Sequence, residues 1–153
     1  MTTTSTTPVT RKPATTSKSA KRTEYALSAL RLVSGFLFAC HGAQGLGALG
    51  GVDSHGTAVP FGLWPAWWAT IIELVAGVLV CLGIGTRPAA VLCSGVMAYA
   101  YFTVHQPLGL LPLQNMGEPA ALYAWIFLLI AVAGPGRLAL GRLLSSGTSR
   151  SSR

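Results

Sequence analysis

Four side chains in this sequence could exchange protons or hold a polar ligand in otherwise apolar surroundings: His41, Glu73, His105 and Glu118. Each belongs to a different apolar segment. An imidazole beside a carboxyl can hydrogen-bond the carbonyl oxygens of a quinone and pass the protons that accompany its reduction. Two imidazoles from facing helices could instead ligate a haem iron, and a chain of His and Glu could relay protons or bind a small substrate. Haem is disfavoured, because no CxxCH attachment is present and both histidines fall near segment ends. No metal site is expected. Cys40, Cys81 and Cys93 have neither CxxC nor Cys/His ligand spacing and read as small buried hydrophobes. Cys81 and Cys93 flank one turn, which leaves a pair between them open.

Each of the four also has a plainer reading. Glu73 could pair with Arg31 or a histidine to hold two helices in register. His41, followed by Gly42, could bond at a helix end, and His105, before Gln106–Pro107, could sit at an interface. Glu118 lies at a helix N-terminus, where a carboxylate is favoured in any case. One titratable group per segment, at neighbouring depths, is what points to a shared polar site.

The segments that must position these groups read as membrane spans. Of 153 residues, 51% are hydrophobic and 10% charged, against about 25% charged in soluble domains. Glu73 lies inside an apolar run from about Pro65 to Arg87, the length of about 20 residues that a helix needs to cross a bilayer core of roughly 30 Å. An acidic group there costs on the order of 2.5–3.5 kcal/mol on insertion scales unless it faces protein or water. Helical spans are expected at about 25–49, 65–84, 88–105 and 118–133. Short loops between them imply an all-α, integral membrane, antiparallel four-helix bundle over 23–143. Residues 1–22, rich in Thr and Ser with scattered bases, are expected to be a disordered basic tail, and 144–153 a second one.

Arg31, Ser34, Gly35, Phe38, His41, Gly42 and Gly45 share one face of the first span; Ala66, Ala69, Thr70, Glu73, Ala76, Gly77 and Val80 share one face of the second. Small residues let helix backbones approach closely, so these stripes are expected to meet. Trp64, Trp67 and Trp68 mark a headgroup boundary. Ser94, Ala98, Tyr101 and His105 share a face of the third span. Arg31 is expected to reach the inner headgroups or a partner below Glu73.

All the bases except Arg31 lie in the N-terminal segment, the turn at Arg87 and the C-terminal segment, whereas the 50–63 and 106–117 loops have none. The positive-inside rule then puts both termini in the cytoplasm and the His/Glu groups toward the outer half of a multi-pass plasma membrane protein. Bases beside spans, without interleaved aromatics, argue against a nucleic-acid partner.

RLVSGFLFACHGAQGL in the first span, ELVAGVLVCLGIGTRPAAV across the second and third, then MAYAYFTVH, NMGEPAALY and GPGRLAL, together resemble the DoxX family of small bacterial membrane proteins. Family members commonly carry a Lys soon after HG; this chain reads HGAQGLG. The resemblance implies a four-helix membrane protein linked to thiosulfate:quinone oxidoreductase subunits and to oxidoreductase complexes that handle oxidative stress. It adds Asn115 to His41, Glu73, His105 and Glu118 as expected ligand-binding positions. The leading expectation is therefore a subunit of a redox complex, with a quinone as cofactor and electrons supplied by a protein partner. The alternatives are a non-catalytic anchor that recruits a soluble oxidoreductase, and a small proton-coupled transporter. A homo-oligomer is compatible with all three.

Overall fold

The computed structural model describes residues 18–142, and these are all helix, turn and loop. Helix α1 spans Lys18–Gly45, α2 Ala66–Leu82, α3 Thr86–Ala100 and α4 Glu118–Ala133. The expected tail residues 1–17 and 144–153 lie outside the described residues, as does residue 143. Helix α1 starts at Lys18, inside the segment expected to be tail. KSAKRTEYAL is rich in good helix formers, and the Thr/Ser bias that suggested disorder belongs to the residues before it. Helix α1 also stops early, at Gly45, because the chain enters the left-handed region at Gly47 (φ 88°). Beyond α3 the chain widens through a π-helical turn, Tyr101–His105, and then tightens through a 3₁₀ turn, Gln106–Leu108.

Helices α1 and α2 run antiparallel and touch through glycine. A Cβ placed on Gly35 would lie 2.5 Å from the Cys81 amide nitrogen, and one on Gly77 2.7 Å from that of Ala39. Gly42 abuts the backbone of Leu74, and Gly45 the side chain of Thr70. The two stripes of small residues meet as their spacing predicts. Helices α3 and α4 are joined by the Ser94 hydroxyl, which donates to the Ala124 carbonyl at 2.8 Å. Helix α4 closes on α1 through Phe38, whose ring lies 4.7 Å from that of Phe127 and 5.6 Å from that of Tyr123. Phe38, Val80, Ala90, Cys93, Phe127 and Ile130 form the common core. The three cysteines are unpaired, with Cys93 buried in that core.

The buried face of α1 also carries a charge. Arg31 is 1% exposed and does not bond Glu73; its partners lie below that residue, the second of the two expectations for it. Its Nε donates to the Pro135 carbonyl at 3.0 Å, and Nη1 to Val80 at 2.5 Å and to Cys81. Its Nη2 donates to Leu138. Val80 and Cys81 lie in the last turn of α2, where carbonyls outnumber amides, Val80 having the Gly83 amide at 3.1 Å besides the guanidinium, and where the helix dipole favours a cation. A guanidinium offers five N–H donors in a fixed fork, so one side chain can hold two segments at once. The second segment, GPGRLAL, packs its Gly136 (φ 70°) against Ser28, which accepts a hydrogen bond from the Leu138 amide at 3.1 Å. Gly83 leaves room for both Ala139 and the Arg31 guanidinium.

Three stability outcomes follow. Arg31→Met strips donors from four carbonyls and should cost about 3 kcal/mol or more, read as a large drop in the thermal midpoint of the detergent-purified protein; Arg31→Lys, a point donor without the fork, should recover only part. Gly42→Val should wedge α1 from α2 and lower the same midpoint. Gly95→Ala meets no atom within 4 Å and should leave the midpoint unchanged or raise it, by up to about 1 kcal/mol of helix propensity.

Candidate functional site

The close approach of α1 and α2 at Gly42 and Gly45 brings the ends of the two stripes to one cleft of about 360 Å³. His41 and Gln44 of α1 and Thr70 and Glu73 of α2 line it, with Gly51, Val52 and Val59 of the following loop as its roof. The Thr70 hydroxyl donates to the Ala66 carbonyl at 3.0 Å, so it is spent within its own helix. Among the described residues, neither the Glu73 carboxyl nor the Gln44 amide has a hydrogen-bond partner. His41 stands edge-on to the Tyr123 ring, with centroids 6.2 Å apart. The cleft therefore presents an imidazole, a carboxyl and a primary amide with uncommitted polar atoms, in a wall that is otherwise small and apolar.

The roof is built from backbone bonds. The Val59 amide donates to the Gly45 carbonyl at 2.7 Å, and the Val52 amide to Thr57 at 2.9 Å. Asp53 fastens the loop by accepting from the Thr57 hydroxyl at 2.5 Å and from the amides of His55 at 2.9 Å and Thr57 at 3.1 Å. This is the local ring that a short acidic side chain makes in a turn.

The other three expected positions lie elsewhere. His105 sits in the π-helical turn at the end of the third helical stretch, with Nδ1 3.1 Å from the Asn115 carbonyl oxygen. Asn115 is 1% exposed, and both ends of its amide are used: Nδ2 donates to Gly109 and Oδ1 accepts from the Gly117 amide, each at 2.8 Å. It shapes the 106–117 loop, which folds back so that Gly117 rests on His105 and Tyr101. Glu118 is exposed at the start of α4 and lines a separate groove between α1 and α4, with Leu37 and Tyr123. The geometry thus brings together His41 and Glu73 and joins His105 to Asn115, with Glu118 apart from both. Gln44 was not singled out from the sequence, although its place three residues after His41, one turn along the same face, is the signal that would have found it.

Donors for a hydrogen-bonded carbonyl compound are present in the cleft: imidazole N–H, amide NH₂ and, when protonated, the Glu73 hydroxyl. Among the described residues, no three His, Cys, Asp or Glu side chains group closely enough to hold a metal ion.

Comparison with known proteins gives two matches. The family described as DoxX matches residues 26–106, just over half the chain. An uncharacterized protein of Haemophilus influenzae is 35% identical over 124 residues, covering 76% of this chain and 88% of that protein. No solved structure matches.

The Asp53 ring supplies a pH test of the roof. The Thr57 hydroxyl, then the His55 and Thr57 amides, hold the Asp53 carboxyl below its ordinary range. A carboxyl lowered in the folded state stabilises above its unfolded value, and that contribution fades as pH falls through the folded one. Exchange of the His55 and Thr57 amides, corrected for intrinsic rate, should therefore be slow at neutral pH and quicken in acid below the usual carboxylate range. In Asp53→Asn that acid step should vanish.

Proposed function

The chain belongs to the DoxX family, and from that premise we propose that it is a multi-pass membrane subunit of a redox-linked complex, binding a quinone head in the His41–Glu73 cleft. The observation that carries this reading is the pairing itself: a carboxyl and an imidazole, from two helices held together by glycine, face one cleft with their polar atoms uncommitted.

A membrane setting is supported by the outward faces. Helix α1 is long and apolar enough to cross a bilayer; α2 and α4 are shorter apolar helices of 17 and 16 residues, close to the lower limit of about 17 for a span. Val33, Phe36, Val75, Val91, Leu122, Trp125 and Val132 are exposed around the helices, more apolar surface than a soluble monomer ordinarily leaves open. In this reading the four helices form an antiparallel transmembrane bundle. Arg87 lies beside Gly134, and Arg137 stacks over Tyr25, so these bases share the end of the molecule that Arg31 fastens. The cleft opens at the other end. The positive-inside rule makes the basic end cytoplasmic, with both termini there.

Within the cleft, His41 and Gln44 would donate hydrogen bonds to the ring oxygens, and Glu73 would give and take the proton. A bound quinone would supply two-electron redox chemistry that no side chain here can perform. Electrons would come from a protein partner. His105, Asn115 and Glu118 have no part in this site: Asn115 has its amide spent on the loop, and Glu118 lies in another groove.

The test is the lipid extract that accompanies the protein purified in mild detergent. Mass spectrometry should find a quinone with the wild type and at least about tenfold less with Glu73→Gln, the loss of one charged or proton-sharing hydrogen bond. Quinone absent from both, with protein partners retained after substitution of His41, Glu73, His105 and Glu118, would instead support the anchor.

A further inference from the structure

A second cavity adjoins the polar cleft. It is a groove of about 410 Å³ between α2 and α3, lined by Trp64, Trp68, Leu92, Gly95 and Tyr99 among others. Ala69 lines both the groove and the cleft. The two spaces lie on either side of α2 and share Ala69, where that helix carries only a methyl group. One is polar, the other apolar with aromatic walls.

Gly95 gives an independent sign that the groove is kept open. Within α1–α4 the glycines Gly35, Gly42, Gly45 and Gly77 each press against a neighbouring helix, so each is explained by packing. Gly95 meets nothing within 4 Å. A mid-helix glycine costs about 1 kcal/mol relative to alanine, and at Gly95 no helix contact offsets that cost. What its missing side chain leaves is room in the groove.

We propose that the ligand is a prenylated quinone whose chain leaves the His41–Glu73 cleft over Ala69 and lies in the α2/α3 groove. This rests on the quinone reading of the cleft and extends it to the ligand's tail. Branched methyls of a polyprenyl chain suit a groove walled by indole and phenol rings and floored by glycine. Trp64 and Trp68, at the start of α2, flank the mouth, where an amphipathic ring sits well between headgroups and hydrocarbon. Cleft and groove together bind one molecule with a polar head and an apolar tail, so affinity comes from the tail and orientation from the head.

The experiment titrates the full chain in detergent with two probes, a dimethoxy-methyl-benzoquinone without a tail and the same ring with a decyl chain. Wild type is compared with Gly95→Leu and Ala69→Leu at one detergent concentration, so that micelle partitioning cancels between proteins. Gly95→Leu fills open space, and its thermal midpoint checks that the fold is kept. The expected result is that either variant weakens the tailed probe by about tenfold or more, the order expected from losing a few buried methylenes, while binding of the tail-less ring is unchanged in Gly95→Leu, which lines the groove and not the cleft. Glu73→Gln should weaken both probes. Tailed binding untouched by Gly95→Leu and Ala69→Leu, with ring binding still dependent on Glu73, would overturn the groove and leave the cleft standing. Failure of wild type to bind either ring would overturn the cleft reading and the groove with it.

Discussion

One buried cation ties the structure together at its basic end. Arg31 sits in an apolar helix face, where an isolated charge is costly, and it is kept there by carbonyls from the end of α2 and from the segment after α4. None of these acceptors is charged. The cation answers the unsatisfied end of a helix and a turn that has no regular partners of its own, so the cost of burial and the cost of the open carbonyls offset each other. Because α1 is thereby fixed to α2 at one end, the glycine contacts at Gly35, Gly42 and Gly77 can carry a close, parallel-walled approach toward the other. There the same pair of helices, still in contact at Gly42 and Gly45, turns His41 and Glu73 toward the cleft that the 51–59 loop completes. The clasp and the cleft are two ends of one helix pair, the first fully satisfied and the second left with free polar atoms.

That contrast separates structural polar groups from functional candidates. Arg31, Asn115, Ser28 and Thr70 are polar and buried as well, and all have their hydrogen bonds spent on backbone. Glu73 and Gln44 do not. In a membrane a carboxyl without a partner is retained against a real cost, and the cleft beside it has room for a small planar ring.

The helices and their inward faces were legible in the sequence because they depend on local periodicity. The stripe from Arg31 to Gly45 and that from Ala66 to Val80 meet in the structure, and α4 spans the expected 118–133. The partners of Arg31 were not legible. They are main-chain oxygens, which have no residue signature, and Pro135 and Leu138 are more than a hundred residues away. Depth along a helix was also readable, but direction around it was less so. His41, Glu73, His105 and Glu118 share an end of the molecule, yet only the first two share a cleft, because α3 turns through a π-helical segment before His105 and the 106–117 loop claims that ring. The resemblance to the family indicated Asn115 without its role, which is to hold the loop.

The most direct test of the account is the infrared spectrum of a quinone with isotope-labelled carbonyls, bound to the protein in lipid. The account predicts that the carbonyl stretch shifts down from its position in free lipid, as hydrogen bonds from the cleft require, and that the shift is lost in His41→Leu or Glu73→Gln while His105→Leu keeps it. A carbonyl band unchanged from free lipid, or a shift that disappears with His105 and survives without Glu73, would contradict it.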